Sequence, residues 1–212
     1  MLEEKLGDEK MQALIHGIIL AFGLILPLGV QNVFIFNQGA THKKLIDAFP
    51  AIITAGICDT ILIFMAVRGI SVVVFNVEWL STLLFLVGCL FLIYMGFVMW
   101  RSSPEATNTE DPQRFSARRQ VTFATSVSIF NPHAILDTVG VIGASSLAYT
   151  GHEKLLFTIA CIVVSWIWFF FLAILGGRIG KIGNSGMLLK RVNRISAMII
   201  WGMAFYLGYN FS

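Results

Sequence analysis

Charge is what this sequence has least of. Only 13% of its 212 residues are Asp, Glu, Lys or Arg, while 57% are hydrophobic; a soluble domain carries about 25% charged residues. With a mean hydropathy of +0.79, that shortage excludes a soluble globular domain and leaves an integral membrane protein, of a length that suits one polytopic unit. The formal net charge of +3 is too small to mark a nucleic-acid surface, so no nucleic-acid partner is expected and the cations are read as topology signals. Cysteine is scarce too. Cys58, Cys89 and Cys161 all lie in apolar runs without CxxC spacing, which argues against thiol-redox chemistry. No Cys/His cluster has metal-ligand spacing, and neither a metal nor another cofactor is expected. The first ten residues carry Glu3, Glu4, Asp8 and Glu9 against Lys5 and Lys10, the wrong n-region for a signal peptide. Met1 and Met11 are both candidate starts.

Proline is the next shortage, with five in the chain. Two of them interrupt apolar runs of membrane length, in Leu26-Pro27-Leu28-Gly29-Val30-Gln31-Asn32 and in Asn131-Pro132-His133-Ala134-Ile135-Leu136-Asp137. Proline removes a backbone donor and clashes with the preceding turn. In lipid the freed carbonyl must find another partner, so such breaks face protein or water. Matched breaks in two halves of a chain point to a transporter binding site, where a single break would be only a kinked helix.

Six apolar segments are each long enough for a spanning helix of about 20 residues: 13–36, 48–67, 80–100, 121–147, 155–175 and 195–211. The expected fold is therefore all-α, a polytopic membrane protein with a polar segment at 1–12, a first three-helix unit at 13–100, a cytoplasmic linker at 101–120 and a second unit at 121–212. The linker holds Pro104, Glu105, Asn108, Glu110, Asp111 and Pro112, which read as solvated chain; Arg118 and Arg119 at its end read as a basic anchor at the headgroups. Asn32 and Asp137 each stand five residues past their proline, and Tyr94-Met95-Gly96-Phe97 echoes Tyr206-Leu207-Gly208-Tyr209. An odd number of spans per unit makes the two repeats inverted, with helices 1 and 4 broken by proline. One side of the bilayer receives Lys43, Lys44, Arg101, Arg114, Arg118, Arg119, Arg178, Lys181, Lys190, Arg191 and Arg194; the other receives Lys5, Lys10, Arg68 and Lys154. Six spans then put loops 1–2, 3–4 and 5–6 in the cytoplasm and both termini outside; one segment that only dips would move the N-terminus inside.

Asp59 lies near the middle of the second segment. An acid at the centre of an isolated membrane helix costs about 2.5–3.5 kcal/mol and defaults to a functional role, here a cation or proton site, unless it merely bonds a neighbouring helix. Asp137 carries the same reading, against that of a cap on the broken helix. The amides of Gln31 and Asn32 suit either the carboxylate or amine of a substrate or the exposed backbone. Helix starts just after Pro27 and Pro132, with Gly29 and Asn131 beside them, expose free N–H groups and partial positive charge that suit a carboxylate. Asn131 is expected to satisfy local backbone and His133 to be a structural hydrogen-bonder. Trp166, Trp168, Phe169, Phe170 and Phe171 read as packing, or as a cation–π wall. Gly176 and Gly180 have GxxxG spacing, which marks a close helix approach or the face of a homodimer.

Together these residues carry a resemblance. Leu26-Pro27-Leu28-Gly29-Val30-Gln31-Asn32-Val33-Phe34 with Asn37-Gln38-Gly39 resembles the first-helix motif of the LysE family of amino acid exporters. Asn131 to Thr138, and Ser165-Trp166-Ile167-Trp168-Phe169-Phe170, are similar to its arginine- and lysine-exporting branch. The likeness runs from about Met11 to Phe211, with Val30 standing where many relatives carry a second proline. It implies a bacterial plasma-membrane exporter of basic amino acids, with Asp59 and Asp137 as functional residues. Acids placed where helices break lead to the expectation of a secondary transporter, not an enzyme, in which Asp59 and Asp137 bind the cationic groups of the substrate and one of them exchanges it for a proton. Three alternatives stay open: a neutral amino acid exporter of the same family, an intramembrane aspartyl enzyme, and a non-transporting scaffold or receptor. The enzyme would need two carboxylates sharing a proton, and Asp59 follows Gly56-Ile57-Cys58 rather than a GxGD signature.

Overall fold

A computed structural model describes residues 2–26, 29–42, 44–69, 115–131, 134–135 and 137–182, with single helical positions between 86 and 101 and between 191 and 205. Pro27, Pro132, His133, most of the linker and most of the third and sixth segments lie outside the described residues, as does the side chain of Asp137. Among the described residues every regular element is helical: α1 (Leu2–Ile25), α2 (Val30–Thr41), α3 (Phe49–Val67), α4 (Ala117–Ile129) and α5 (Gly151–Ile182), with a π-helical stretch at Asp137–Gly143 and short 3-10 turns at Leu45–Ala48 and Ser146–Ala148.

Local chemistry sets the boundaries. The expected first span is two helices: α1 stops at Ile25, α2 starts after Gly29, and the pair is bent by 78°. Residues 2–12 of the polar segment lie in the first turns of α1. Pro50 sits in the first turn of α3, where its missing N–H would have had no partner in any case. Gly69, with φ +74, ends that helix, and Gly151, with φ +51, starts α5; both are left-handed positions that cost a side-chain-bearing residue more. Helix α4 begins at Ala117, inside the expected linker, because the Ser116 hydroxyl accepts the Arg119 N–H at 3.4 Å as an N-cap.

Among the described residues two helices, Leu45–Val67 and Gly151–Gly180, are long and apolar enough to cross a bilayer, and the bent α1–α2 pair meets the same measure of length and hydropathy only when its two helices are taken together. Helix α5 is the spine, packing against α1, α2 and α3. Its outer face shows Leu155, Ile159, Val163, Ile167, Phe171 and Ile174 at helical spacing, the stripe expected of a lipid-facing surface. Its inner face approaches α2 at backbone contact. A Cβ on Gly39 would collide with the Ala173 carbonyl, one on Gly176 with the Phe36 carbonyl, and one on Gly180 with the Ala40 carbonyl. The GxxxG spacing therefore serves a helix crossing within the chain, not a dimer face, and lets the backbones meet without side chains between them. Described positions of the third and sixth segments also touch, with Trp201 Nε1 donating to the Ile93 carbonyl at 3.1 Å.

The buried apolar residues form two clusters. One holds Val30, Phe34, Ile52, Ala55, Val127, Phe169 and Leu172; the other holds Ala13, Ala21, Ile63, Phe157, Cys161 and Val164. Along α3 and α5 the stretches between them, 56–62 and 165–168, carry the polar side chains of Asp59, Thr60 and Ser165, with the indole of Trp166 beside them. A polar layer thus lies at mid-span, closed by apolar packing above and below.

The crossing of α2 and α5 predicts that Gly176→Val destabilises the protein by about 1–3 kcal/mol or more, the usual cost of overpacking. Gly23→Ala, whose Cβ meets nothing within 4 Å, stays neutral or gains up to about 1 kcal/mol of helix stability. Thermal unfolding of both variants in detergent checks the contrast.

Candidate functional site

The site starts from the broken first span. Ending α1 at Ile25 leaves carbonyls with no partner in their own helix. The Asn32 Nδ2 reaches back across the break and donates to the Ile25 carbonyl at 2.7 Å. Asn32 is 5% exposed, so this bond is made where water cannot replace it. With Asn32 turned back, its neighbour Gln31 points across to α3. Gln31 Nε2 donates to Asp59 Oδ1 at 3.4 Å, a long bond near the weak end of the range. The hydroxyl-bearing Ser165 of α5, itself buried, lies beside the Asp59 carboxylate. Three helices therefore converge on one half-buried acid, where apolar packing around it lowers the effective dielectric and strengthens its interactions.

One turn of α5 supports the acid from the side. Trp166 Nε1 donates to Thr60 Oγ1 at 3.1 Å, and Thr60 Oγ1 donates to the Gly56 carbonyl at 2.6 Å. The indole lies on Gly56, where a Cβ would sit 2.7 Å from the ring. Trp166 is thus a packing residue that fixes α3 against α5; of the other aromatics of the stretch, Trp168 meets Phe22 and Phe171, while Phe170 meets Phe49 and stacks on Trp166.

The second break is shaped by the same chemistry. Helix α4 ends at Ile129, and the buried Asn131 Oδ1 accepts the Ala134 N–H at 3.4 Å, so Asn131 satisfies local backbone. Asp137 opens the π-helical stretch, which packs against α3, the helix that carries Asp59. Of the expected site residues, then, Gln31 and Asp59 meet, Asn32 and Asn131 hold backbone at the breaks, Gly29 is the N-cap of α2, and the side chains of Asp137, Pro27 and Pro132 lie outside the described residues.

Several residues had no role in the sequence reading. Ser165 and Thr60 are the hydroxyls of the polar layer; their signal is a polar residue at the middle of an apolar run. Gln38 is 4% exposed and its Oε1 has no partner. It follows Gln31 by two helical turns, which puts both on one face of α2. Gln120, 1% exposed, ties the near ends of the helices together: Nε2 donates to the Asp47 and Phe115 carbonyls at 2.8 and 2.9 Å and lies 3.1 Å from His42 Nε2, while Oε1 accepts the Ala51 N–H at 3.2 Å.

Residues 22–211 match the family described as LysE type translocator, which is nearly the whole chain. The chain belongs to that family. "Putative amino-acid transporter YisU" of Bacillus subtilis is 54% identical over 98% of this chain and 95% of its own. Arginine exporter protein ArgO of Klebsiella pneumoniae is 30% identical over 91% of each chain, and the protein of the same name from Serratia proteamaculans is 29% identical over 92% of this chain and 95% of its own. No solved structure matches the chain. This LysE-family protein is a multi-pass bacterial membrane protein, and family and relatives point to a transporter of amino acids rather than an enzyme.

Asn32→Ala leaves the Ile25 carbonyl buried and unpaired, which costs about 1–3 kcal/mol. Its thermal midpoint in detergent should fall, whereas Gln31→Leu, which removes only a long bond, should fall less.

Proposed function

We propose that this protein is a secondary exporter of basic amino acids, L-arginine or L-lysine, across the bacterial plasma membrane. The observation that carries the reading is the half-buried Asp59 carboxylate at mid-span, met by Gln31 from the start of α2 and by Ser165 from α5. A carboxylate there offers a guanidinium or ammonium a charge-assisted partner. Asp137 is the second acid of the site, on the element packed against α3. Gln31 and the free N–H groups at the start of α2 receive the substrate carboxylate, with Asn32, Asn131 and Gly29 holding the breaks open around it. The buried Gln38 oxygen, two turns further along α2, gives the ammonium an acceptor on its way in.

The architecture belonging to this reading has six spans in two inverted three-helix units. Its Lys- and Arg-rich loops 1–2, 3–4 and 5–6 lie in the cytoplasm. Moving one positive charge out against an inside-negative potential costs about 2.3 kcal/mol per 100 mV. Exchange for a proton offsets that cost when proton and substrate compete for one carboxylate, at Asp59 or Asp137.

A neutral amino acid exporter is the second reading. What favours it is that Asp59 already accepts from Gln31 and so is not bare before a cation arrives.

Inside-out vesicles loaded through this protein separate the two. Labelled arginine or lysine should accumulate and labelled neutral amino acids should not; the reverse pattern selects the second reading. Asp59→Asn removes one charged partner worth about 1.5–3 kcal/mol, so arginine uptake should fall about 10- to 100-fold. Collapse of an imposed proton gradient should slow uptake, and an unchanged rate would remove the proton from the mechanism.

A further inference from the structure

The far end of α3 and the start of α5 enclose a cavity of about 400 Å³ lined by Phe64, Val67, Arg68, Lys154, Leu155 and Thr158, with Gly151 at its rim. It lies well away from Asp59, beyond the second apolar cluster. Its charge is out of proportion to its surroundings. In the six-span arrangement proposed above, only Lys5, Lys10, Arg68 and Lys154 belong to the side away from the Lys- and Arg-rich loops, and two of these four meet at one cavity, from helices in different halves of the chain. Neither has an ion-pair partner among the described residues. The Arg68 guanidinium lies 4.5 Å from the centre of the Phe64 ring, which steadies its plane and leaves its N–H edges free. Both cations stand where their spans end, Arg68 as the C-cap of α3 and Lys154 in the first turn of α5, which is headgroup depth. The walls beside them are apolar and open to lipid: Phe64 is 46% exposed and Leu155 53%.

We infer that this cavity binds the phosphate of a phospholipid headgroup in the leaflet opposite the Lys- and Arg-rich loops, with Arg68 and Lys154 clamping the phosphate and an acyl chain lying along Phe64 and Leu155. The chemistry fits each part. A guanidinium edge matches phosphate oxygens bidentately, and an ammonium adds a point charge. Two cations without an ion-pair partner among the described residues favour an anionic lipid over a zwitterionic one. The bound lipid ties the end of α3 to the start of α5 and so joins the two halves of the chain. The inference is independent of which amino acid is moved.

The test uses the full chain in phosphatidylcholine liposomes doped with a photoactivatable phosphatidylglycerol, with crosslinks mapped by peptide. Crosslinks are expected on residues 64–68 and 151–158. They should be competed by unlabelled phosphatidylglycerol but not by inorganic phosphate or by arginine. In Arg68→Gln/Lys154→Gln they should fall about tenfold, as for loss of one charge-assisted contact or more, while crosslinks elsewhere on the chain stay as they were and report that it is folded. The exchanged pair Arg68→Lys/Lys154→Arg keeps both charges and should keep the crosslinks. Unchanged labelling in the double Gln variant, or competition by inorganic phosphate as effective as by lipid, overturns the inference. Should the double Gln variant not insert, the two single variants are read in its place, and undiminished labelling in both has the same force.

Discussion

A helix interrupted inside hydrocarbon leaves carbonyl oxygens that water cannot reach, and here the carbonyl of Ile25 is taken by the amide of Asn32, 2.7 Å away. The rest of the polar centre depends on that bond. It fixes how α2 leaves α1, and so the rotation of α2 about its own axis. That rotation decides which of two adjacent amides turns back to the break and which faces α3. Gln31 faces α3 and meets Asp59. An unpaired carbonyl at that depth would cost about 1–3 kcal/mol, comparable with the cost of placing the acid itself in the membrane, about 2.5–3.5 kcal/mol. The two unfavourable groups are made tolerable by neighbouring residues of one short motif.

The second constraint is distance. Helix α2 can present Gln31 to α3 only because it lies directly on α5, backbone to backbone, at Gly39, Gly176 and Gly180. Side chains at those positions would push α2 outward and separate Gln31 from Asp59. The apolar clusters on either side of the layer then keep it closed. A site built this way is stiff along α3 and α5, where the helices are continuous.

How much of this was legible in the sequence follows from how local the chemistry is. Proline acts on its own turn, so Pro27 and Pro132 marked the neighbourhoods of both breaks, and α1 and α4 do stop at Ile25 and Ile129. An acid in an apolar run announces itself, and Asp59 could be named without a structure. The second and fifth spans were legible from length and hydropathy alone. Pairings were not legible. Gln31 and Asp59 are 28 residues apart, and only the turn of α2 decides that Gln31 rather than Asn32 crosses to the acid. Both glycine readings fitted GxxxG spacing until the carbonyls of Phe36 and Ala40 were found against it. Gln120 was read as the end of a linker because polar and charged residues precede it; its burial comes from acceptors supplied by Asp47 and Phe115 and a donor supplied by Ala51, which no periodicity reveals.

The central claim is that a positively charged amino acid is held at the Asp59 carboxylate, inside the layer made by α2, α3 and α5. Its most direct test is equilibrium binding of arginine to the purified full chain, read as a rise in thermal midpoint with ligand concentration. The account predicts a saturable rise for the native chain that is lost in Asp59→Asn and absent with a neutral amino acid. An equal rise in native and Asp59→Asn chains would place the substrate elsewhere and contradict it.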